Sequence, residues 1–294
     1  MFSEAERGSG AAMAAQRAGT RPDLDVRDLV SGAGMLAATA NVIMQLARPE
    51  VGYGVLESRV EGAQLMRHPL RRMRTTFTYL SVALTGTPAD REMFRQLVNR
   101  SHLRVRSTAL SPVRYNAFDP RLQLWVAACL YQGVRDVHAL LHGPADDSTA
   151  DAIYRESSRL GTTLQVPGDM WPADRAAFER YWAAAVAEIR IDPAVRGYLR
   201  RVMRLDFLPW PLRAALGPLN EFVTTGFLPQ PFRDQMQLRW RRRDQRLFGL
   251  LMRATTAVNR LLPAPVRRFP FNACLRDLRI RARWDPGYRA AASG

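Results

Sequence analysis

The chain has 294 residues, 47% of them hydrophobic, and a formal net charge of +16, which supplies ample apolar material for a large core and excludes a disordered tail protein. None of the 43 basic residues is a lysine, so chemistry that needs an amine, such as a Schiff base or a P-loop lysine, is excluded. With only Cys129 and Cys274 as cysteines, so are a disulfide framework and a zinc knuckle.

Apolar residues recur at helical spacing nearly throughout, and no alternation lasts long enough to make a sheet. Residues 1–27 are rich in Ala, Gly, Arg and Asp and read as a disordered tail without a signal peptide. Helices are predicted over 27–47, 50–66, 70–85, 89–105, 118–142, 148–162, 173–190, 193–204, 210–224 and 231–261, punctuated by prolines such as Pro49, Pro69, Pro88, Pro209 and Pro263. The apolar stretch from Gly32 to Ala47 is broken by Asn41 and Gln45. It is shorter than the ~20 residues of a membrane span and reads as a core helix. The expected architecture is all-α, one multi-helix domain over 28–280, followed by an irregular arginine-rich tail over 281–294.

The arginines are spread along the chain, and no zinc-finger spacing or RNA-recognition motif accompanies them, so nucleic acid is not the expected partner. The densest run is Arg239-Trp240-Arg241-Arg242-Arg243 with Arg246. It reads as a solvated helix face or a contact for an anionic membrane. With neither signal peptide nor span, the expected location is the cytoplasm, with peripheral membrane contact through Arg239, Arg241, Arg242 and Arg243.

Four histidines make the ligand search short. His68 precedes Pro69 and reads as a helix-entrance residue. His138 and His142 share a helix face, but Ala139 stands where a zincin has its glutamate. They precede Gly143-Pro144, a helix end where cationic side chains suit the macrodipole. His102 falls on the apolar stripe Phe94, Val98, His102 and Val105. That placement suits a hydrogen-bonded core histidine or a metal ligand, and a lone neutral imidazole facing an apolar pocket suits haem iron better than zinc. The run Asp146-Asp147-Ser148-Thr149-Ala150-Asp151 is similar to an aspartate-rich magnesium box, yet it opens a helix, where Asp and Ser act as caps.

At Tyr115-Asn116-Ala117-Phe118-Asp119-Pro120, then Leu122, Trp125-Val126, Ala128 and Leu130, the sequence resembles the MpaB and rubber-oxygenase (latex-clearing-protein) superfamily. Arg72, Thr76, Tyr79 and Gly86 fit an upstream motif of that family, and Asn99, His102 and Val105 fit another. Tyr154, Pro172, Tyr181-Trp182, Arg233 and Trp240 follow in order. The resemblance covers about residues 30–275. It implies an all-α domain enclosing a haem pocket, and an oxygenase that uses haem b and dioxygen on an apolar, isoprenoid- or lipid-like substrate. It implies His102 as the proximal iron ligand through Nε2, with Nδ1–H bonded to an acceptor. Arg72 and Thr76 would lie on the polar distal side, binding dioxygen or a haem propionate, with a helix cap or salt bridge as the alternative for Arg72. Trp125 would line or support the pocket.

The chain departs from the family pattern in places. Thr75 stands where rubber oxygenases carry a distal lysine, and Ala127, Arg48 and Ser58 stand where relatives commonly have histidines. This leaves a second reading open, a haem-binding protein of the same fold without turnover, such as a sensor. A basic helical protein without haem is the third class.

Overall fold

The computed structural model describes residues 29–60 and 64–284. The expected N-terminal tail lies outside them. The described chain is all-α, and its single extended pairing is an isolated bridge between Arg106 and Asn116. A 3-10 turn over Gly32–Ala37 leads into α1 (Ala38–Leu46) and α2 (Pro49–Leu56). Then come α3 (Pro69–Thr85), α4 (Pro88–His102), α5 (Pro120–His142), α6 (Asp147–Ser157), α7 (Arg159–Thr162), α8 (Arg175–Ala187) and α9 (Pro193–Met203). The C-terminal third holds α10 (Trp210–Phe227), α11 (Gln230–Met236), α12 (Arg242–Leu261), α13 (Ala264–Arg267) and α14 (Phe271–Trp284).

Local chemistry sets most boundaries. Proline occupies the first turn of α2, α3, α4, α5 and α9, where its missing N–H costs nothing. Thr87 and Asp90 close a capping box at α4, with bonds of 3.1 and 2.8 Å. Asp119 caps α5 by accepting from the Arg121 N–H at 2.8 Å.

Helix α5 is the centre of the molecule. It buries Leu124, Trp125, Ala127, Ala128, Cys129, Leu130 and Tyr131, so its middle turns are apolar on all sides, as those of a surrounded helix must be. On one side α3, α6, α8 and α14 enclose a core with Phe77, Tyr131, Tyr154, Trp171, Phe178 and Cys274. On the other, α1, α2, α9 and α11 enclose a core with Ile43, Met44, Trp125, Cys129, Leu199 and Phe232. Among the described residues no helix is long and apolar enough to cross a membrane.

Several boundaries differ from the expectation, two of them through contacts made across intervening loops. The helix predicted to run to 105 ends at His102, because Ala117 N–H donates to Val105 O at 3.0 Å and Ser107 N–H to Tyr115 O at 2.9 Å. The one predicted to run to 66 ends at Leu56, where the following Glu57 accepts from Tyr115 (2.7 Å) and Ser111 (2.6 Å). The long helix predicted over 231–261 is two helices. Gln237 adopts a left-handed φ of 57°, and Asp244 accepts from Arg241 N–H at 2.9 Å to start α12 afresh. Arg239 and Arg241 therefore lie in a linker and not on a helix face, though both are exposed like Arg242 and Arg243. Beyond 261, where no helix is predicted, Phe271–Trp284 forms α14; its last four residues fall in the tail expected to be irregular, whose remainder lies outside the described residues. Phe271, Cys274 and Leu278 make the buried stripe of α14, and Arg279 pairs with Asp90 at 2.8 Å.

One polar group sits uneasily on α5. Burial pushes the Asp136 carboxyl up to about 6, against the pull of adjacent Arg135. The folded state thus resists ionisation that the unfolded chain accepts near 3.8. Stability is expected to fall as pH rises from about 4 to 6, by of order 2 kcal/mol after allowance for solvent. Asp136→Asn should flatten that slope, read as the denaturation midpoint against pH. An unchanged slope would place the titration elsewhere.

Candidate functional site

His102 is the last residue of α4, half-buried on the stripe that runs through Phe94 and Val98. Its ring meets Phe118 edge-on, with centroids 6.0 Å apart at 87°. A polar chain fixes the segments that carry both rings. Asn99 accepts from the Gln165 side chain, Gln165 N–H donates to Gln123 Oε1 at 2.9 Å, and Gln123 Nε2 donates to Ala117 O at 2.7 Å. The end of α4 and the loop before α5 are thereby tied together beneath the imidazole.

Burial, and secondly the positive charge of Arg72, hold the His102 pKa down at about 4. The imidazole is neutral at pH 7, the state in which a histidine binds a metal. The acceptor expected for Nδ1 is missing, for this atom is buried without a hydrogen-bond partner. A buried ring nitrogen left unpaired costs about 1–3 kcal/mol.

Arg72 and Thr76 lie one turn apart on α3. The Arg72 guanidinium is lowered in pKa by burial, and no carboxylate pairs with it among the described residues. Its charge acts on His102 and on Tyr198 of α9, a phenol raised by burial and opposed by Arg72. The Thr76 hydroxyl donates to Arg72 O at 3.1 Å, so only its lone pairs face outward. Thr75 bonds back in the same way, to Arg71 O at 3.0 Å. Tyr198 escaped the sequence reading because nothing local in Gly197-Tyr198-Leu199 links it to α3.

Trp125 belongs to the core enclosed by α1, α2, α9 and α11. It is wholly buried, stacks on Trp182 (5.3 Å, 12°) and Phe232 (6.4 Å, 22°), and donates its indole N–H to Gln45 O at 2.9 Å. These contacts give Trp125 a packing role in that core. The other motif residues also clamp the fold. Tyr79 donates to Leu160 O, Tyr154 to Pro172 O at 2.5 Å, and Arg233 to Thr225 O at 2.9 Å.

The three positions without the family's histidines are structurally committed. Ala127 is fully buried, and a Cβ added at Gly161 would stand 3.3 Å from its own. Arg48 pairs with Glu188 at 2.6 Å and lies over Trp125 at 5.8 Å. Ser58 closes a local turn with Val60 N–H at 3.3 Å. The aspartate run is a cap as well. Asp146 accepts from Thr149 N–H at 2.9 Å, while Arg175 holds Asp147 at 2.8 Å and Asp151 at 2.5 Å. His138 and His142 stand 5.0 Å apart, and no group of three metal-ligating side chains occurs among the described residues. His68 is exposed at the entrance of α3.

The family model described as "ER-bound oxygenase mpaB/B'/Rubber oxygenase, catalytic domain" matches residues 27–257. The chain belongs to this oxygenase family. The mpaB/rubber oxygenase match takes in α1 to α11 and most of α12, and with them His102, Arg72, Thr76 and Tyr198. Two curated relatives are the uncharacterized proteins Rv2237 of Mycobacterium tuberculosis and Mb2261 of Mycobacterium bovis. Each is 54% identical over 249 residues, which cover 85% of this chain and 98% of the relative. No solved structure matches this mpaB/rubber oxygenase domain.

Proposed function

We propose that this protein is a haem b-dependent oxygenase acting with dioxygen on an apolar, isoprenoid- or lipid-like substrate. The observation that carries the reading is His102, kept neutral by burial and by the charge of Arg72, an arginine with which no carboxylate pairs among the described residues. Those residues fit the group. His102 would hold the iron, and Arg72 would answer an anion such as a haem propionate.

When bound, haem supplies a redox-active iron at which dioxygen is reduced as the substrate is oxidised. The chain's own residues supply the surroundings. Phe118 and the polar chain from Asn99 to Ala117 hold the imidazole plane. Arg72 keeps a fixed positive charge in a poorly solvated place, where it stabilises negative charge more strongly than it would in water. Thr76 and Tyr198 offer an acceptor and a phenol to the same region, and Val98, Val105 and Phe118 limit water there. Without histidines at 48, 58 and 127 these positions offer no general base, which favours a second reading, haem binding without turnover.

Purified protein supplied with haem b is expected to show a Soret band. After reduction it is expected to consume dioxygen in the presence of a polyisoprenoid alkene. Absence of the band overturns the proposal. A band without oxygen uptake selects the second reading.

A further inference from the structure

We propose that α12 is an in-plane docking helix for an anionic lipid bilayer, an inference independent of the haem reading. The helix is apolar on two flanks. The inner flank packs on the body: Phe248 meets Phe227 at 5.2 Å and 89°, Met252 is buried, and Thr256 donates to Leu140 O at 2.9 Å. The outer flank carries Leu247, Leu250, Ala254, Ala257, Val258 and Leu261, which fall within an arc of about 100° on a helical wheel. Leu247 and Leu250 are each 56% exposed, Val258 57% and Leu261 85%. A solvated helix would carry polar groups on that arc. The exposed apolar surface continues past the helix through Leu262, Val266 and Phe269.

Arginines border this strip. Arg242, Arg246, Arg253 and Arg260 lie along one edge, all exposed, and after Asp244 the helix has no acidic residue. Leucines at the centre and arginines on the border match a bilayer interface. Apolar side chains enter the acyl region while guanidinium heads snorkel to anionic headgroups. On the surface of this helix Gln245, Arg246, Gly249, Leu250 and Arg253 line a shallow, open groove. It sets two cations beside an apolar floor, the pairing a phospholipid headgroup and chain present. A second copy fits less well, since its strip would offer the arginine border no acidic partner, the helix carrying none after Asp244. Nucleic acid would use the arginines and leave the leucines in water.

The test is cosedimentation of the full chain with phosphatidylcholine vesicles, with and without phosphatidylglycerol. Binding is expected to require phosphatidylglycerol and to weaken with salt. Leu247→Asp/Leu250→Asp should reduce the partition coefficient about tenfold or more. Arg246→Gln/Arg253→Gln should reduce it about fivefold per arginine. All four side chains are exposed, so circular dichroism should be unchanged. Failure to bind either vesicle overturns the proposal, as does full binding by both variants. A dimer in light scattering that the leucine variant abolishes would assign the strip to a second copy. Retention of duplex DNA in place of vesicles would assign the arginines to nucleic acid.

Discussion

His102→Ala is expected to yield a folded protein that no longer retains haem b, with the Soret band lost and then restored by added imidazole. The fold should survive because the residue contributes little to it. Its Nδ1 is buried without a partner, so removing the ring also removes an unsatisfied group, and the net cost should stay within about 1 kcal/mol. Ligation is a different matter. An imidazole kept neutral by burial and by Arg72 has its lone pair free for iron at neutral pH, and alanine has nothing to replace it. Free imidazole entering the vacated space should restore the band without restoring a covalent tether. Unchanged haem content in a well-folded variant would remove His102 from the site and, with it, the observation on which the oxygenase mechanism rests.

Trp125→Ala should be the most destabilising single substitution among the site candidates, costing about 3–5 kcal/mol. The indole is wholly enclosed and stacked on Trp182 and Phe232, with the Arg48 guanidinium over its face. Its loss opens a cavity beside α5 and leaves Gln45 O without its donor. Trp125→Phe keeps most of the stacking and loses the hydrogen bond, so about 1–2 kcal/mol is expected. Urea denaturation reads both as midpoint shifts. Because no hydrogen bond or ring contact links Trp125 to His102 among the described residues, folded Trp125→Phe should bind haem as the native chain does. A shift under about 1 kcal/mol for the alanine variant would show that the stack is not a keystone.

The helices that the sequence announces are those whose ends are local. Pro69, Pro88 and Asp119 mark their starts by backbone chemistry alone. The ends that escaped are set by partners far along the chain. Glu57 is claimed by Tyr115, and Val105 by Ala117. The helix over Phe271–Trp284 is instructive in the other direction, since its stripe of Phe271, Cys274 and Leu278 is at helical spacing, hidden by the arginines between. In the candidate site, a stripe and a motif single out His102 and Arg72 from the sequence alone. Tyr198 reaches Arg72 only through the packing of α9, and no local pattern encodes that. Trp125 is a motif residue whose contacts are those of core packing.

The two thiols provide a native reporter. Cys129 lies in the core between α5 and α1, and Cys274 in the core against α3. Both are free, buried and raised in pKa by burial, so neither reacts while its own half stays closed. Thiol-modification rates measured separately at the two positions therefore time the local opening of each half of the molecule. A substrate or lipid that loosens one half should accelerate one cysteine and leave the other unlabelled, with no probe added to the chain.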